Sequence, residues 1–172
     1  MEKKQIIHIS EHEIMNAASE GIDAFISLFT THYLEAIGGE LNAEGMNMLN
    51  SDQITLLGYI MFRDEIMDGG FVQLIHNGYG PFFFENPFAK AMRLMGAHDF
   101  SKLIYKAREL YMKNKDEIAR ECSDNEFMAL FEQFPEFDDL DDEFIENEEE
   151  ITETIARYVD EHIELFASIV KE

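Results

Sequence analysis

Three observations predict an all-α protein: apolar residues recur at helical spacing, helix-start signals precede several of those runs, and glycines close them. The architecture expected is a single compact multi-helix domain, residues 1–172, around a buried central helix at about residues 51–67. A chain of 172 residues with 46% apolar content can bury one sizeable core and is short for two.

The elements follow in chain order. Ser10 and Glu13 have capping-box spacing and start a first helix. His8, Glu11 and His12 also spell H-x-x-E-H, a zinc-peptidase string, but a Ser10 cap leaves His8 outside the helix. A second helix runs from about Asp23 to Ile37, with Phe25, Ile26, Phe29, Tyr33 and Ile37 inward, and ends at Gly38-Gly39. Residues 41–49 are expected to form a turn or two of helix. The third long helix starts at Asn50 or Ser51. From Ile54 to Phe62 it is apolar almost all round, the mark of a buried helix. It becomes polar at Arg63-Asp64-Glu65, and Gly69-Gly70 permit a sharp re-entry into the next turn. Pro81 and Phe82-Phe83-Phe84 read as a packed aromatic connection. Asn86-Pro87 open another helix, lined by Phe88, Met92 and Met95. The next, about Asp99 to Met112, buries Phe100, Leu103, Ile104, Ala107, Leu110 and Tyr111 and carries Lys102, Lys106 and Lys113 outside. Ser123 and Glu126 form a second capping box before Phe127, Leu130, Phe131 and Phe134, and Pro135 closes that helix. The last helix is expected from about Glu150 to Val170, with Ile151, Ile155, Tyr158, His162, Phe166 and Ile169 on one face.

Charge narrows the function. The net charge is −23, against a magnitude of ~2–8 usual for a small domain. Such a field repels nucleic acid and anionic membrane and draws in basic protein surfaces. It is unevenly distributed: residues 90–120 carry eight bases and four acids, whereas residues 121–170 carry eighteen acids against Arg157 alone. Cys122, the lone cysteine, fits a reducing compartment. The start, MEKKQIIHISEHE, lacks the apolar run of a signal peptide, and no stretch approaches the ~18 apolar residues of a membrane span. A cytoplasmic protein is expected.

The densest stretch is EFDDLDDEFIENEEE, residues 136–150, in which ten of fifteen residues are acidic and none is basic. Phe137, Leu140 and Phe144 recur within it at the spacing of one helical face, which a purely solvating tail does not need. The reading is an acidic surface pinned to a core, with a plain solvated face as its alternative. A calcium loop starting at Asp139 places Phe144 where the tight turn requires glycine. Catalytic carboxylates need a pocket that separates their pKa values, and nothing in the stretch indicates one. Glu121 and Asp124 beside Cys122 disfavour a reactive thiolate. The loop near Gly69 has neither a dinucleotide fingerprint nor a Walker lysine. No cofactor and no metal are expected.

One segment carries a resemblance. Asp68-Gly69-Gly70-Phe71-Val72-Gln73, followed by Asn77-Gly78-Tyr79-Gly80, resembles the N-G-G-F-x-Q and N-S-x-G signature of a bacterial family of small acidic helical proteins that includes a DNA mimic. The chain departs at Asp68 for Asn and at Gly78 for Ser. The resemblance implies a homodimeric, non-catalytic DNA mimic. The implied partner is a basic DNA-binding protein, such as a helix-turn-helix regulator, with direct nucleic-acid or membrane binding absent. Side chains three or four apart on a helix lie about 5–6 Å apart, comparable with neighbouring phosphates. The expected partner-binding residues are Asp138, Asp139, Asp141, Asp142, Glu143, Glu146, Glu148, Glu149, Glu150 and Glu153. The alternatives are an immunity-type inhibitor of a toxin nuclease and a metal-dependent hydrolase using the carboxylate clusters.

Overall fold

In the computed structural model, which describes residues 4–171, the chain is overwhelmingly helical, and its contacts divide it into two compact units. One comprises residues 1–60 with 152–172; the other comprises residues 61–151.

In the first unit a short strand β1 (His8–Ser10) leads into α1 (Glu11–Glu20). Ser10 caps α1 through a complete capping box: its Oγ accepts the Glu13 N–H at 3.1 Å, and Glu13 Oε2 accepts the Ser10 N–H at 3.0 Å. His8 therefore lies in a strand and His12 in a helix, so the zinc-string geometry does not form. Next come α2 (Ile22–Ile37) and α3 (Ala43–Met48). All five expected inward residues of α2 are buried, and Gly38 ends it in the left-handed region at φ 88°. The helix α4 (Ser51–His76) then opens on a reciprocal cap: Gln53 N–H donates to Asn50 Oδ1 at 2.8 Å, and Asn50 N–H donates to Gln53 Oε1 at 3.0 Å. The end of the long helix α9 (Asp138–Glu161), the short α10 (Ile163–Phe166) and strand β2 (Ser168–Val170) complete the unit. Here the structure corrects the sequence reading. Helix does not run on to Val170; residues 168–170 pair in parallel with β1, His8 opposite Ser168, and Ile169 is partly exposed. Tyr33 Oη and Gln53 Nε2 both donate to the Phe166 carbonyl, at 2.7 and 3.0 Å, and hold that turn in place.

The second unit contains α4 beyond Ile60, α5 (Gly80–Phe84), α6 (Phe88–Leu94), α7 (His98–Ala119), α8 (Asp124–Gln133), a 3-10 turn (Pro135–Phe137) and the start of α9. Its core is an aromatic cluster. The Phe62 ring, fully buried, lies with its centroid 5.2–6.0 Å from those of Phe71, Phe83, Phe88, Phe100 and Phe144. Most of these contacts are edge-to-face, the arrangement that ring quadrupoles favour. Several boundaries differ from expectation. The helix expected at Asp99–Met112 runs on to Ala119. Asn86 does not cap α6; its amide reaches back to the Pro81 carbonyl at 3.2 Å. The acidic stretch and the last long helix are one element, because Pro135 ends α8 and the 3-10 turn restarts the chain directly into α9.

The segment Ile54–Phe62, expected to be almost fully buried, is less so. Leu56, Leu57, Tyr59 and Phe62 are buried, but Ile54, Ile60 and Met61 are only half-buried. A helix wholly surrounded by protein needs neighbours on every side, and this one keeps a partly open edge.

Candidate functional site

The acidic face is built on α9. Within the second unit Phe137 and Phe144 are fully buried and Ile151 nearly so, which fixes the helix about its own axis. At ~100° of rotation per residue, Asp138, Asp139, Asp142, Glu143, Glu146, Glu149 and Glu150 fall within one arc of about 140°. All seven are exposed. They extend along about 18 Å of helix at ~1.5 Å per residue, roughly one carboxylate per 2.6 Å. Duplex DNA carries one phosphate per ~1.7 Å of axis, and one of its strands one per ~3.4 Å. The face falls between those densities. Asp138 and Asp139 also lie in the first turn of the helix, where the positive end of the macrodipole stabilises them. Residues 139–150 are helical throughout, so the side chains radiate rather than converge as in an EF-hand loop.

The other three expected site residues are placed differently. Glu148 is half-buried, its Oε1 3.3 Å from Arg63 Nη1 on α4. Glu153, in the first unit, forms an exposed i,i+4 ion pair with Arg157 at 3.2 Å. Asp141 turns inward.

Asp141 meets α4 at its break. Gly70 there has φ 78° and ψ −172°, so the helix stops and restarts at Phe71. A restarted helix exposes N–H groups without intrahelical acceptors. Asp141 Oδ1 accepts the Phe71 N–H at 2.8 Å, an N-cap delivered from seventy residues away. The contact is close enough that any side chain at Gly70 would meet the Asp141 carboxylate. Burial, with the Asp138 and Asp142 charges adding to it, pushes the Asp141 carboxyl up to about 7, against the downward pull of the Phe71 N–H. Its spacing, four after Phe137 and three before Phe144, puts Asp141 toward the inward side of α9 but does not name its donor. The double glycine is a further signal, since a break there leaves unsatisfied N–H groups after it and so calls for a cap from elsewhere.

Other residues of the Asp68–Gly80 segment support the same break. Gln73 Nε2 donates to Glu65 Oε2 at 2.9 Å and to Asp68 Oδ2 at 3.0 Å, and Asn77 Nδ2 donates to Glu65 Oε2 at 3.1 Å. Phe71 is buried against Phe84 and Phe137. Every one of these residues serves the turn.

Elsewhere, Cys122 is half-buried with its sulfur 3.9 Å from His76 Nε2, and the His76 ring packs on Phe127. Lys102, Lys106 and Lys113 on α7 are exposed, as expected. Among the described residues no helix is long and apolar enough to cross a membrane.

Residues 47–162 match the family described as DMP19-like protein. Over 147 residues the chain is also 31% identical to the DNA mimic protein DMP19 of Neisseria meningitidis serogroup B, covering 85% of this chain and 88% of that protein.

Proposed function

Because the chain belongs to the DMP19-like protein family, we propose that it is a non-catalytic DNA mimic whose acidic α9 face occupies the DNA-contacting surface of a basic DNA-binding protein and so blocks DNA. The observation that carries this reading is the arc of seven exposed carboxylates on a helix anchored by Phe137 and Phe144. Rigid mounting matters, since a loose acidic tail would lose conformational freedom on docking. A transcriptional regulator in the cytoplasm is the partner type proposed, with the mimic acting as a homodimer and the whole chain folding as one domain. The lone Cys122 supports the reducing compartment. Of the residues expected at the face, Asp141 and Glu148 are assigned to its support, and Asp138, Asp139, Asp142, Glu143, Glu146, Glu149 and Glu150 to contact.

The test begins with proteins captured from the native cytoplasm on the immobilised chain. A captured DNA-binding protein is then challenged with its DNA. Wild type should displace the DNA, with affinity falling as salt rises and the Debye length shortens to ~8 Å at 0.15 M. The variant with Asp138, Asp139 and Asp142 changed to Asn and Glu143, Glu146 and Glu149 changed to Gln should fold and fail to displace it. Displacement at unchanged affinity by that variant would reduce the stretch to a solvated face.

A further inference from the structure

Asp141 links the acidic face to the break in α4, and its surroundings give that link a further consequence. Its own helix brings Asp138 three residues before it and Asp142 directly after it, both negative. From α4 it meets the Gly70–Phe71 backbone, and the Asp68 carboxylate two residues before Gly70 is engaged by Gln73 Nε2 at 3.0 Å. The carboxyl is thus half-buried, hydrogen-bonded by one backbone N–H, and set in a negative field from the same side chains that the proposed partner would neutralise.

We propose that Asp141 is a positioning residue of the acidic face, and that docking on a basic partner releases its proton. The inference rests on the mimic reading. In the free protein the proton on Asp141 relieves repulsion with Asp138 and Asp142. Lysine or arginine side chains arriving at those two carboxylates cancel the repulsion and favour the Asp141 anion, and its proton passes to the buffer. The ionised oxygen accepts the Phe71 N–H more strongly than the neutral one, tightening the hold between α9 and the break in α4. Linkage then makes affinity rise with pH across the interval between the free and bound titration points. The titration of free Asp141 near neutrality, at about 7, places that interval within the physiological range.

Poly-L-lysine serves as the probe, because its ammonium groups (~10.4) stay charged throughout the range tested. Its affinity for wild type and for Asp141→Asn is measured at pH 6 and pH 8 in low salt. Asn keeps an oxygen for the Phe71 N–H and cannot titrate, so the ratio of the two affinities removes the histidines' contribution. If docking lowers the titration point by one unit, the wild-type-to-variant ratio rises about fivefold from pH 6 to pH 8. The 13C signal of the Asp141 carboxyl should titrate near neutrality in the free protein and at lower pH in the complex. A complex whose affinity ratio is the same at both pH values overturns the inference and leaves the mimic reading standing. Failure of poly-L-lysine to bind wild type in low salt overturns the mimic reading, and proton release with it.

Discussion

Replacing Asp141 with Asn should make the protein more stable at pH 8 and alter it little at pH 4.5. The carboxyl is raised from 3.8 to about 7 on folding. Between those values the folded chain holds a proton that the unfolded chain has lost, so this group's contribution to stability is full below about pH 4 and declines as pH rises through 7. The full interval, at ~1.36 kcal/mol per unit, is about 4 kcal/mol. Solvent reaches part of this half-buried side chain, so about 2 kcal/mol is the working figure. Asn keeps the acceptor for the Phe71 N–H while removing the buried charge and its repulsion with Asp138 and Asp142. At ~2–4 °C per kcal/mol for a chain of this size, the melting point at pH 8 should rise by about 4–8 °C. Urea unfolding followed at 222 nm, at unit steps from pH 5 to pH 8, would give the difference in free energy between variant and wild type. That difference should grow from pH 5 to pH 7 and level off toward pH 8. A difference constant from pH 5 to pH 8 would refute the argument, because it would leave Asp141 with an ordinary carboxylate titration.

The turn and the core make their own predictions. Asp141→Ala removes the cap along with the charge, so it should fall short of the Asn variant by about 1 kcal/mol in the same urea experiment. Gly70→Val places a β-branched residue at φ 78° against the Asp141 carboxylate, and thermal unfolding should show a large fall in melting point. Phe62→Ala empties the centre of the aromatic cluster and should cost about 3–5 kcal/mol in urea unfolding; a loss under 1 kcal/mol would mean the rings close over the gap. Leu56→Asp, at a fully buried position, should leave little folded protein by circular dichroism, whereas the half-buried Ile60 and Met61 tolerate the same change better.

Local chemistry made much of the chain legible from its sequence. Ser10 with Glu13 and Ser123 with Glu126 mark helix starts because a side-chain oxygen three residues away meets an N–H with no other acceptor. Gly38 and Gly70 mark breaks because both adopt positive φ. The spacing of Phe137 and Phe144 sets the inward side of α9 and turns Asp138, Asp139, Asp142 and Glu143 outward, since side chains seven apart share a helical face. Those signals determined the all-α class, the bent α4 and the exposed acidic face. What they could not decide depends on partners distant in sequence. The strand at Ser168–Val170 exists because His8–Ser10 lies beside it, and three isolated residues carry no β signal strong enough to reveal it. Glu148 and Asp141 carry the same charge as their neighbours; their spacing, four after Phe144 and four after Phe137, sets them beside the buried stripe but names no donor for them. Arg63, eighty-five residues from Glu148, and the Phe71 N–H, seventy from Asp141, turn those two acids from the face into its support. Composition and periodicity place a carboxylate at the edge of a buried stripe; only the tertiary structure supplies the donor that holds it there.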